Sequence, residues 1–172
     1  MEQQRILSLL VDNTSGVLSR VSGLFSRRGY NIDSLTVGTT ADPAYSRMTV
    51  VCHGDELILE QITKQLEKLV DVIDIKMLKP NESVHRELML IKVRANKEER
   101  QNLIMISDVF RAKIVDVGTE SLIIELTGSK SKLEGFMELL EDYEILELAR
   151  TGITGLSRGT HEIGRASCRE RV

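Results

Sequence analysis

Ile6-Leu7-Ser8-Leu9-Leu10-Val11-Asp12-Asn13-Thr14-Ser15-Gly16-Val17 changes character twice within a few residues. Residues 6–11 are apolar at nearly every position and rich in Ile, Leu and Val, which predicts a central, well-covered strand. From about Gly16, Val17, Leu18, Val21, Leu24 and Phe25 recur at helical spacing, with Ser19, Arg20, Ser22, Arg27 and Arg28 on the other face. Gly29 suits the left-handed residue that closes such a helix. The turn between strand and helix collects backbone N–H groups that have no partner inside the helix, and the helix dipole favours an anion there. Gly16 leaves room for a ligand carboxylate to reach the backbone. Asn13 offers a donor and an acceptor, and Asp12 can balance an ammonium group. The corner therefore suits a small zwitterion such as an amino acid. Asp, Asn, Ser and Gly are also what any strand-to-helix turn prefers, so a purely structural reading stands beside the binding one.

Working outward, residues 31–40 alternate as a half-exposed strand, in which Leu35 and Val37 oppose Ser34, Thr36 and Gly38. A turn at Ala41-Asp42-Pro43-Ala44 leads to a third strand, residues 47–53, so the two strands should pair as a hairpin. Asp55 is placed to cap a second helix with Ile58, Ile62, Leu66 and Leu69 inward. Residues 72–78 form the closing strand, with Ile73, Ile75 and Met77 on one side. The order β-α-β-β-α-β predicts an α+β fold, a ferredoxin-like antiparallel sheet with both helices on one face.

Lys79-Pro80-Asn81-Glu82-Ser83 reads as a linker, after which the same order recurs. A strand at 87–93 precedes a helix capped by Asn96, with Glu99 completing a capping box and Leu103, Ile106 and Phe110 inward. Strands at 113–117 and 122–127 flank Gly118-Thr119-Glu120-Ser121. Ser129 opens a helix with Leu133, Phe136, Met137 and Leu140 inward, and residues 145–151 form the last strand. The expected domains are 1–78, a linker at 79–84, and a second ferredoxin-like domain at 85–158. Residues 159–172 have no apolar period and read as a disordered or artefactual tail.

Composition narrows the function. A net charge of -3 and 3% aromatic residues oppose an RNA-binding sheet, which needs a basic face and stacking platforms. No apolar run approaches the ~20 residues of a membrane span, and residues 1–5 lack the apolar region of a signal peptide, so a cytoplasmic location is expected. His53, His85 and His161 have no partners at metal-ligand spacing. Cys52 and His53 are adjacent in a strand, so their side chains diverge: one core thiol and one surface imidazole. There is no phosphate-binding loop and no dinucleotide fingerprint. No catalytic residue and no metal ligand is expected.

A second polar stretch, Gly29-Tyr30-Asn31-Ile32, enters the second strand. Asn31 could cap the local backbone, or complete the site from a neighbouring subunit, because a half-exposed edge strand invites pairing with its copy. Here the motifs 12–17, 24–32 and 34–38 resemble the ACT domain of the acetolactate synthase (acetohydroxyacid synthase) small subunit. Ser46-Arg47-Met48-Thr49, Leu69-Val70-Asp71-Val72, residues 110–117 and Arg150-Thr151-Gly152-Ile153 resemble the same family, in the same order up to about Gly159.

The resemblance implies a regulatory subunit that is not itself an enzyme and carries no cofactor. Its partner would be the catalytic large subunit, which holds thiamine diphosphate, Mg2+ and FAD. The small subunit would raise that enzyme's activity and confer feedback inhibition, usually by valine, in branched-chain amino-acid synthesis. It implies a homodimer in which two ACT domains pair side by side. Asn13, Gly16, Val17 and Leu18 would hold the effector from one chain, and Asn31 and Ile32 would approach from its partner. Asp12 joins this set through its charge. The alternative is a free-standing ACT-type amino-acid sensor acting on another partner.

Overall fold

The computed structural model describes residues 2–160. Their contacts divide them into two units, one running up to Val84 and resuming at Ile153, the other His85–Gly152. The stretch from Ile153 thus groups with the first unit, although its place in the sequence predicts the second. Residues 161–172, most of the predicted tail, lie outside the described residues.

The first unit contains β1 (Gln3–Asp12), α1 (Val17–Arg28), β2 (Ile32–Thr39), β3 (Tyr45–Gly54), α2 (Glu56–Glu67) and β4 (Val72–Met77). The strands form one antiparallel sheet in the order β2-β3-β1-β4, the split βαβ arrangement with β2 and β4 at its edges. Leu7 pairs with Val50 and Leu9 with Met48. These residues join Val21, Phe25, Ile62 and Leu66 in the core beneath the helices. Ser8, Leu10, Thr49 and Val51 point the other way, yet they are buried too. On that face Thr36 Oγ1 donates to the carbonyl of buried Ile153 at 3.3 Å. Coverage on both faces accounts for the nearly unbroken apolar run of β1.

Local chemistry explains the boundaries. Asp55 caps α2, its carboxylate accepting the Ile58 N–H at 2.8 Å. Gly29 closes α1 at φ 68°, and the Tyr30 N–H donates to Phe25 C=O at 3.0 Å. Two side-chain placements differ from the periodicity. Leu18, placed on the inward face of α1 by its spacing, is 48% exposed, because it lies beyond the stripe set by Val17, Val21 and Phe25. In β4 a bulge pairs Val11 with Val72 and Leu10 with Asp74. Ile73 is the extra residue, so Val72 and Ile75 pack on the core in place of the predicted Ile73 and Ile75; Met77, at the end of the strand, is exposed. Leu59, absent from the α2 stripe read in the sequence, is fully buried.

The second sheet has the matching order β6-β7-β5-β8, built from β5 (Ser83–Arg94), β6 (Lys113–Val117), β7 (Ser121–Gly128) and β8 (Ile145–Arg150). Strand β5 begins at Ser83, inside the stretch read as linker, and the turn before it is closed by Glu82 N–H to Lys79 C=O at 3.0 Å. Helices α3 (Lys97–Val109) and α4 (Lys130–Leu139) bring Leu103, Leu133 and Phe136 onto Met89, Ile91 and Ile124. The capping box on α3 is complete: Glu99 N–H donates to Asn96 Oδ1 at 2.8 Å, and Asn96 N–H to Glu99 Oε1 at 3.3 Å. Buried Glu87 accepts two bonds from Arg150, at 2.8 and 2.9 Å. A short strand, β9 (Thr154–Ser157), follows the last strand that the sequence predicts; just beyond it Arg158 N–H donates to Glu82 C=O at 2.8 Å.

Candidate functional site

The β1–α1 corner is held by backbone bonds to two neighbouring loops. Asp12 ends β1, pairs with Tyr45 and donates its N–H to Asp71 C=O at 2.9 Å. Asn13 N–H donates to Ala44 C=O at 2.8 Å, and its side-chain amide donates to Pro43 C=O at 2.8 Å. The Asn13 amide nitrogen thus locks the corner onto the β2–β3 hairpin, although the residue as a whole is exposed. Gly16 precedes α1 at φ 85°, a conformation that disfavours side chains, and no side chain caps the helix there. Val17 is buried in the core, so only its backbone can meet a ligand, whereas the Leu18 side chain stands exposed beside the turn.

Two residues outside the predicted set complete the corner. Arg20, one turn into α1, donates from Nε and Nη2 to the two oxygens of Asp71, at 2.5 and 3.0 Å. Its Nη1 lies 2.8 Å from where a Cβ on Gly16 would stand. Gly16 is therefore favoured by its backbone angle, and a side chain there would also displace the tip of the Arg20 guanidinium. The Arg20 guanidinium holds the Asp71 carboxyl below the usual carboxylate range. Periodicity places Arg20 on the polar face of α1, and nothing local in the sequence links it to a residue beyond α2.

Asn31 and Ile32 are not beside this corner in one chain. Ile32 pairs with Cys52, which pairs with Arg5 at the far end of β1, whereas the corner is level with Tyr45 and Thr39 pairs with Ser46. At ~3.3 Å per residue, the length of β1 separates the two sets by roughly 20 Å or more. Asn31 is exposed and Ile32 packs on the core. Next to them Asp33 Oδ1 accepts from His53 Nδ1 at 2.7 Å, and Asp33 Oδ2 accepts from Gln4 Nε2 at 3.5 Å. Asp33 is the residue skipped where the β2–β3 register shifts. Cys52 points into the core, away from His53, and burial pushes its thiol up to about 11. Among the described residues no group of three or more His, Cys, Asp or Glu is placed to hold a metal ion, and no helix is long and apolar enough to cross a membrane.

The fold and the corner define an ACT-type chain with a second ferredoxin-like unit. Residues 7–74 match the family described as the AHAS small subunit-like ACT domain, and residues 86–159 match the small subunit of acetolactate synthase. The acetolactate synthase small subunit of Mycolicibacterium smegmatis is 53% identical over 160 residues, spanning 93% of this chain and 94% of that one. The isozyme 3 small subunit of Escherichia coli is 49% identical over 157 residues, spanning 91% and 96%. The crystal structure of the small subunit from Thermotoga maritima superposes with a TM-score of 0.85 at 42% identity, over 92% of this chain and 99% of that one. The chain belongs to the acetolactate synthase small subunit family.

Proposed function

We propose that this chain is the regulatory subunit of an acetolactate synthase, without catalysis of its own. It binds the catalytic large subunit, raises its activity and makes it sensitive to feedback by a branched-chain amino acid, valine first. The thiamine diphosphate, Mg2+ and FAD of the reaction belong to the large subunit. Family membership supports the role, and one feature of the fold supports the mechanism. The two halves of the effector set lie at opposite ends of a sheet whose edge, β2, pairs on one side only. Antiparallel pairing of β2 with β2 of a second copy turns that copy end for end. Its Asn31 and Ile32 are then delivered toward the Asp12–Leu18 corner of the first chain. Valine bound across such an interface makes contacts that the separate chains lack, and that differential affinity shifts the subunit toward its inhibitory arrangement.

The test combines the chain with a purified acetolactate synthase large subunit and measures acetolactate formation with and without valine, leucine or isoleucine. Increased activity that valine lowers is expected; no complex and no change in rate would remove the proposal. Gly16→Asp places a carboxylate where the effector's own carboxylate must lie. Inhibition should vanish in this variant, and normal inhibition would show that the corner is not the site. Asn31→Ala should weaken inhibition from the partner's side.

A further inference from the structure

We propose that Asp71 and Arg20 act together as positioning residues for the effector corner, an inference that rests on the reading of that corner as an amino-acid site. Asp71 follows α2 and grips the corner at two points. Its carbonyl takes the Asp12 N–H at 2.9 Å, where the turn begins. Its carboxylate takes Arg20 Nε at 2.5 Å and Nη2 at 3.0 Å, one helical turn beyond Gly16. Side chains on a helix lean toward its N-terminus, so Arg20 lies back over Gly16, and its third nitrogen, Nη1, approaches the glycine.

A cation at a helix N-terminus opposes the dipole, and Asp71 offsets that cost. The two-point bond also fixes the plane of the guanidinium, which a single contact would leave free to rotate. The anchor is the more sheltered partner: the Asp71 side chain is 17% exposed against 49% for Arg20. Nη1 is not used in binding Asp71. A donor edge is therefore held beside the backbone that an amino-acid carboxylate would approach. Asp71 sets its position from outside the helix, and the pair governs both the shape and the charge of the corner.

Calorimetric titration of the full chain with valine tests this, with valinamide as the ligand lacking a carboxylate and melting temperature as the control for folding. Arg20→Ala and Asp71→Asn should each weaken valine binding ~10-fold, because a charge-assisted two-point bond is lost. Arg20→Lys should weaken it as well, since an ammonium cannot reproduce the fork. The double variant should bind no more weakly than the poorer single, since the two act as one unit. Preference for valine over valinamide should fall in each variant, an effect that loss of stability alone would not produce. The inference is overturned if Arg20→Ala and Asp71→Asn keep both affinity and preference while Gly16→Asp abolishes binding, or if the two losses simply add. If Gly16→Asp binds valine normally, or the unaltered chain binds none of valine, leucine and isoleucine, the reading of the corner fails and takes this inference with it.

Discussion

Gly16 is constrained by its backbone angle, and a side chain there would also push aside the Arg20 guanidinium. Its φ of 85° lies in the left-handed region, and Arg20 Nη1 stands 2.8 Å from where a Cβ would be. Gly16→Ala should therefore cost about 1–3 kcal/mol in urea unfolding, as a non-glycine residue does in such a conformation. Glu87 poses the opposite problem, a buried carboxylate whose charge is met by Arg150. Arg150→Met leaves that carboxylate under-bonded and should destabilise the chain by about 1–3 kcal/mol; little change would mean that water replaces the guanidinium. Cys52 yields a pH dependence. Burial raises its thiol to about 11 from an ordinary 9.0. Above the ordinary value the unfolded chain gives up the proton first, so stability falls as pH rises through the interval and levels off beyond it. Subtracting the pH profile of Cys52→Ala should isolate that fall.

At the scale of elements, the capping box decides how α3 begins. Asn96→Ala removes the acceptor for the Glu99 N–H and should cost about 0.5–2 kcal/mol. The edge strand β2 decides a different matter. Val37 is 48% exposed there. If two copies pair through β2 as proposed, Val37→Asp would bury a charge on each strand of that contact and weaken it. A lower dimer fraction in sedimentation should accompany a higher valine requirement for inhibition. Unchanged association would place the dimer contact elsewhere. The capping box is legible because its two residues are three apart and need only a local turn. The bulge at Ile73 is not, since a period of two cannot reveal where the partner strand slips by one residue.

For the whole molecule, a ligand that binds only the folded form raises stability by mass action, by ~2.7 kcal/mol at one hundred times its dissociation constant. Valine should raise the unfolding midpoint accordingly, and more strongly at higher protein concentration if two copies share the site. The order of elements in both units, most of the core and the candidate corner follow from the chain itself, because periodicity, caps and turn residues act over a few neighbours. Tertiary structure alone decided the rest. Arg20 and Asp71 are 51 residues apart in the chain and meet only when α1 and the α2–β4 connection pack together. Leu18 falls outside the buried stripe of α1, and Leu59 inside that of α2, because the facing sheet selects which residues are covered. Asn31 and the Asp12–Val17 turn of Asp, Asn, Thr, Ser, Gly and Val lie at opposite ends of one sheet because register assigns their levels. A strand's pattern names its faces, but its register exists only once a second strand has paired with it.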